Sequence, residues 1–117
     1  MNKEDLKSRT KKFAFDIIKF TSNISATPAA TVIGRQLLRS ATSVGANYRS
    51  ACRAQSRPDF IHKINIALGE IDETSYWLEL YEASGLIKKE LLTGLMKEAN
   101  ELTAIFTASI KTAKKVF

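Results

Sequence analysis

The chain has one cysteine, one histidine, one tryptophan, two prolines and five glycines among its 117 residues. A single cysteine, Cys52, excludes an intrachain disulfide and points to a reducing compartment. With one histidine and one cysteine, no zinc site of standard spacing can form. No run of 18 apolar residues exists, so no membrane span is expected. The opening MNKEDLKSRTKK is too charged for a signal peptide's apolar region, which makes the cytoplasm the expected location. No Gly-rich phosphate loop, Walker motif or dinucleotide fingerprint occurs, and no alternating pattern suggests a strand. No cofactor and no small-molecule substrate are expected.

Acid is also missing where base is dense. Residues 24–57 hold five arginines and no carboxylate, a net charge of +5. Residues 58–85 hold six carboxylates and one lysine, a net charge of −5. Both ends are basic at +3, giving +6 overall. A +5 segment followed by a −5 segment suggests pairing within or between subunits, while the net charge suits an anionic partner such as nucleic acid.

What is present is helical. With 44% hydrophobic residues and few breakers, 117 residues suffice for a single domain, 1–117, with a modest core. The first helix is predicted from about Asn2 to Ser22, capped by Asn2 with Asp5 three residues on. Leu6, Phe13, Ile17 and Phe20 form its apolar stripe, with Thr10, Ala14 and Thr21 alongside; Phe15 falls on the opposite side. Thr27 and Pro28 open the second helix, which should run to about Ala54. On a wheel of about 100° per residue, Ile33, Leu37, Val44, Tyr48 and Ala51 share its core face. Gly34, Ala41, Gly45 and Cys52 form a strip of small residues that would let another helix come close. Ser56 and Pro58 open the third helix, with Asp59 favourably placed against the dipole. That helix should end near Ser84, closed by Gly85. Its main stripe is Phe60, Ile64, Ala67, Ile71, Ser75 and Leu78. A second stripe, Ile66, Trp77, Leu80 and Tyr81, suggests cover on two sides and hence a subunit interface with the small-residue strip. The last helix is predicted from about Lys88 to Lys114, with Leu91, Leu95, Ala99, Leu102, Phe106 and Ser109 inward and no good cap. Short links between four amphipathic helices give an all-α, antiparallel up-down-up-down four-helix bundle.

Particular runs carry a resemblance. They are Arg39-Ser40-x-Thr42-Ser43-Val44-Gly45-Ala46-Asn47, Gln55-Ser56, Asp59-Phe60-x-x-Lys63 and Tyr76-Trp77-Leu78-Glu79-Leu80, with Phe13 to Ile18 and Ser84 to Ile87 beside them. The chain resembles, over nearly its whole length, the four-helix-bundle proteins first noticed as reading frames within intervening sequences of bacterial 23S rRNA. It is also similar to the accessory proteins of diversity-generating retroelements. The resemblance implies a ring-like homopentamer of bundles. It implies a basic protein working with nucleic acid and, for the retroelement proteins, with a reverse transcriptase. It implies no enzymatic activity. Many members read Asn-Ile-x-Glu-Ala where this chain reads Asn47-Tyr48-Arg49-Ser50-Ala51, so the second helix is more basic here.

The candidate anion-binding residues fall into two groups. Arg35, Arg39, Arg49 and Arg53 lie within an arc of about 80° on the second helix, followed by Arg57. They could follow a phosphate backbone, or pair with Glu70, Asp72, Glu73, Glu79 or Glu82. The acidic third helix favours pairing for most of them. Lys3, Lys7, Lys11 and Lys12, with Lys111, Lys114 and Lys115, should meet at one end of the bundle, since an even number of helices brings the termini together. For any single lysine a solvated fringe is the simpler reading. Glu70 and Glu73 could be catalytic acids, but neutralising an arginine is the commoner role and no nucleophile stands near. Ser56 and Asp59 are better explained as caps than as partners of His62. Trp77 and Tyr81 could stack bases, but their spacing suits core or interface. Two functional readings follow: a non-enzymatic, oligomeric accessory protein binding RNA or DNA, or a protein scaffold or adaptor with no nucleic-acid role.

Overall fold

The computed structural model describes residues 1–115. It contains α1 (Lys3–Ser22), α2 (Pro28–Cys52), α3 (Arg57–Ser84) and α4 (Lys89–Lys115), with no strand among the described residues. The expected all-α four-helix bundle is the fold. It is a rod of 50 × 20 × 19 Å. Neighbours in sequence pack as neighbours in space: α1 on α2, α2 on α3, α3 on α4. The α1–α4 seam closes the square more loosely.

The helix starts follow local chemistry. The side chains of Asn2, Thr27 and Ser56 accept the N–H groups of Asp5, Ala30 and Asp59, satisfying donors that the first turn leaves unpaired. Pro28 and Pro58 occupy first-turn positions where a missing N–H costs nothing. Gly85 closes α3 at φ 70°, in the left-handed region that a Cβ disfavours. Helix α2 stops at Cys52 rather than Ala54, because Arg53 and Ala54 donate to Ser50 and Ala51 in a tighter i→i+3 turn.

One apolar core runs through the bundle, built from Leu6, Phe13 and Ile17 of α1, Leu37, Val44 and Tyr48 of α2, Ile64, Ile71 and Leu78 of α3, and Leu102 and Phe106 of α4. Three inward assignments shift by one residue. Thr74 rather than Ser75 is buried in α3. Leu92 rather than Leu91, and Ile110 rather than Ser109, bracket the α4 stripe; Leu91 is 61% exposed. Thr74 is inside because its hydroxyl meets that of Ser40 at 2.9 Å; the two protons are shared between this contact and the carbonyls of Leu37, 3.3 Å from Ser40, and Glu70, 2.9 Å from Thr74. The pair is a polar pin in the α2–α3 seam.

The small residues of α2 serve the subunit's own packing. Ala41 is fully buried inside the monomer. A Cβ on Gly45 would stand 3.3 Å from Thr10 Oγ1, so this glycine admits α1. A Cβ on Gly34 would stand 3.0 Å from Tyr81 Oη, whose hydroxyl donates to the Ala30 carbonyl at 2.7 Å. Tyr81 is fully buried, with Phe20 edge-on to its ring. Ala41 and Tyr81, expected at a subunit interface, therefore belong to the core, and Gly34 and Gly45 explain close approach within one chain.

Candidate nucleic-acid interface

The arginine stripe divides because helix geometry turns its members toward different neighbours. Relative to Arg35 and Arg53, Arg39 is rotated about 40° one way and Arg49 about 40° the other. Arg39 leans to α3. Its guanidinium donates to Glu70 at 3.2 Å, to Glu73 through a short contact, and to Gln36 on its own helix at 3.3 Å. The Arg39 hydrogen bond holds the Glu73 carboxyl below its usual range, against the opposing effect of burial, and the two carboxylates raise Arg39 in turn. Neither glutamate is left as a spare acid.

The other arginines do not follow. Arg35, Arg49 and Arg53 are exposed and make no ion pair among the described residues. The expectation that most of the stripe pairs with α3 thus holds inside the subunit for Arg39 with Glu70 and Glu73, and not for these three. Asp72, Glu79 and Glu82 stand exposed on α3 beyond their reach. Arg57, half-buried, opens α3.

Arg49 leans to α1 and meets lysines. A groove of about 280 Å³ runs between α1 and α2, lined by Lys7, Lys11 and Arg49 over a floor of Thr10, Ala14, Thr42, Gly45 and Ala46. No carboxylate lines it. Toward the other end of the same seam, Thr21, Thr31, Gly34, Leu38 and Arg35 line a second stretch of about 330 Å³, again without a carboxylate. The close approach at Gly45 makes the floor shallow and leaves the cationic side chains as rims. Lys7 also reaches Glu4 at 3.2 Å, but that carboxylate is almost wholly exposed.

The start of α1 and the end of α4 lie beside the α2–α3 turn, as the topology requires. Lys3, Lys11, Lys111, Lys114 and Lys115 are exposed there and make no ion pair among the described residues. Lys12 is set apart. It reaches Asp16 at 2.8 Å, one turn along, and lines the α1–α4 side. Of the second α3 stripe, Ile66 is 41% exposed, and Trp77 and Leu80 are half-buried. The Trp77 Nε1 is buried without an acceptor in normal geometry; it lies near enough to Glu73 to help hold that carboxyl charged. Cys52 is half-buried beside Tyr48, whose hydroxyl is raised chiefly by burial. His62 is exposed, Ser56 caps α3, and Asp59 is held by Lys63 and the Gln55 N–H.

One arrangement escaped the sequence. Arg9 clamps α1 to α4 with bonds of 2.7 and 2.6 Å to the two oxygens of Glu98 and a third, at 2.8 Å, to Glu101. The signal was a lone arginine on the first helix and a Glu-x-x-Glu on the last, which the topology makes adjacent. Among the described residues, no group of three or more His, Cys, Asp or Glu is placed to hold a metal. No helix is long and apolar enough to cross a membrane.

Residues 3–108 match the model of the 23S rRNA-intervening sequence protein family. The chain belongs to that family. A protein of unknown function from the S23 ribosomal protein family of Bacteroides thetaiotaomicron VPI-5482, known from a 1.70 Å crystal structure, is similar at 38% identity with a TM-score of 0.87. The match covers 95% of this chain and 99% of that one. No curated protein matches. Family membership accounts for the likeness to the 23S rRNA intervening-sequence proteins over nearly the whole chain.

Proposed function

We propose that this 23S rRNA-intervening sequence family protein is a non-enzymatic, oligomeric accessory protein that binds nucleic acid through the basic α1–α2 seam and the bundle end beside it. The observation that carries this reading is the groove whose rims are Lys7, Lys11 and Arg49 and whose lining has no carboxylate. Lys11 and Arg49 have no ion pair among the described residues, and Lys7 shares only an exposed one with Glu4; cationic side chains so gathered attract phosphates, and the counterions they displace supply affinity without sequence preference. Arg53 and the terminal lysines extend the positive surface, and the net charge of +6 has the matching sign. Likeness to the retroelement accessory proteins and a cytoplasmic location belong to the same reading.

Assembly completes it. Ile66, Trp77 and Leu80 present apolar surface on α3, and the buried Trp77 N–H has no good acceptor of its own. Asp72, Glu79 and Glu82 add exposed carboxylates on the same helix that polar or basic side chains of another copy would meet. The family resemblance makes a pentameric ring the expected form, and a ring would repeat the basic surface in each subunit.

The test is binding of structured RNA across a salt series. Affinity should fall steeply with salt, with a log–log slope that shrinks by about 0.9 for each phosphate contact removed. Lys11→Glu with Arg49→Glu should weaken binding at least about tenfold at low salt while leaving the helical signal unchanged. Binding that is absent at low salt, or indifferent to salt, would remove the reading, and intact assembly without binding would favour the scaffold. A monomer by sedimentation would remove the assembly.

A further inference from the structure

We infer that the α1–α2 groove takes double-stranded rather than unpaired nucleic acid; this rests on the function proposed above and specifies the form of its ligand. Binding a flexible single strand requires ordering it, and proteins that do so offset that cost by stacking bases on aromatic side chains. The groove offers none. Neither stretch of its lining contains an aromatic residue. Phe15 of α1 is 56% exposed, but Lys19 Nζ sits 5.0 Å above its ring centroid and occupies a face that a base would need. Tyr76, the other well-exposed aromatic among the described residues, lies on acidic α3 with its ring set edge-on to Trp77.

The geometry suits a ligand whose phosphates are already fixed in space. Both walls are helices, so the cationic rims are rigidly mounted at the backbone. Arg49 and Arg35 mark two points about 21 Å apart along α2, from the rise per residue. A duplex presents one charge per about 1.7 Å of axis without being ordered first. An RNA duplex has a deep, narrow major groove that side chains cannot read, so a rod 20 Å across meets chiefly its phosphates and 2′-hydroxyls.

The test compares an RNA duplex of about 16 base pairs with an oligouridylate carrying the same number of phosphates, by fluorescence anisotropy at matched salt. The expected result is a duplex preference of at least about tenfold, given that the groove has no stacking surface. Equal affinity, or preference for the oligouridylate, would overturn the inference and leave the proposed function standing. Salt-sensitive binding of neither probe would remove both. Lys11→Glu with Arg49→Glu, checked for unchanged helicity and melting, should abolish the preference. A preference kept at full strength in that variant would place the duplex elsewhere and overturn the assignment, and Arg49→Gln supplies the same comparison if the double reversal fails to fold.

Discussion

Gly34 and Tyr81 should show a coupling in which one substitution reverses its sign. Tyr81 is fully buried and donates its hydroxyl to the Ala30 carbonyl at 2.7 Å. A Cβ at Gly34 would lie 3.0 Å from that oxygen and meet no other heavy atom outside its own helix within 4 Å. In the native background, Gly34→Ala has two opposing effects. It gains about 1 kcal/mol of helix propensity. It also forces a buried ring, held edge-on by Phe20, to shift, and overpacking of this kind costs about 1–3 kcal/mol. The displaced hydroxyl loses a bond worth about 1 kcal/mol. The net expectation is a protein about 1–3 kcal/mol less stable. Tyr81→Phe alone loses the bond and costs about 1 kcal/mol. With the oxygen gone, nothing opposes the methyl group, so Gly34→Ala in the Tyr81→Phe background should restore about 1 kcal/mol. The coupling is then about 2–4 kcal/mol, well above the additivity error of such cycles. Urea unfolding of the four proteins, with slopes compared to confirm a common transition, measures it. If Gly34→Ala shifts stability equally in both backgrounds, the close approach is not what requires glycine, and the account of the strip is wrong.

Three further outcomes follow from the same contacts. Arg9→Ala should destabilise the bundle by about 1 kcal/mol, near the upper end for a partly exposed pair because the geometry is bidentate; unfolding at low and high salt checks it, and an unchanged midpoint would show that the clamp contributes nothing. Glu73 has a depressed pKa through Arg39, so its contribution to stability is present above the ordinary glutamate range and is lost as pH falls through the folded-state value. The stability difference between the native protein and Glu73→Gln should therefore be largest near neutrality and shrink in acid; a difference that does not vary with pH would contradict the ion pair. Thr74→Val should cost about 1 kcal/mol by removing the hydroxyl contact across the seam, leaving Ser40 only its long 3.3 Å bond to Leu37, and a combined Ser40→Ala, Thr74→Val protein should recover part of that loss in urea unfolding.

Much of the fold was legible because it is set by short-range chemistry. Asn2, Thr27, Ser56, Pro28, Pro58 and Gly85 marked helix ends that local hydrogen bonds then occupied. The stripes were placed to within one residue. Two of the three misses share a cause: where a threonine and a serine, or two leucines, stand side by side, an ideal wheel cannot choose between them. Thr74 is inward because Ser40 waits across the seam, and Leu92 because of how α4 lies on α3. The candidate site was less legible. The sequence put four arginines on one arc, yet an 80° arc is wide enough to face two neighbours.

The sequence alone determined four amphipathic helices, their caps, their antiparallel order and the gathering of both termini at one end, because each depends on residues a few positions apart or on the parity of short connections. Only the tertiary structure decided which charges are spent on one another. Arg39 found Glu70 and Glu73, Arg9 found Glu98 and Glu101, and Arg49 turned toward Lys7 and Lys11. Whether a guanidinium meets a carboxylate is fixed by a few ångströms and a few tens of degrees between helices. That rotation comes from the packing of the core, and local sequence does not encode it.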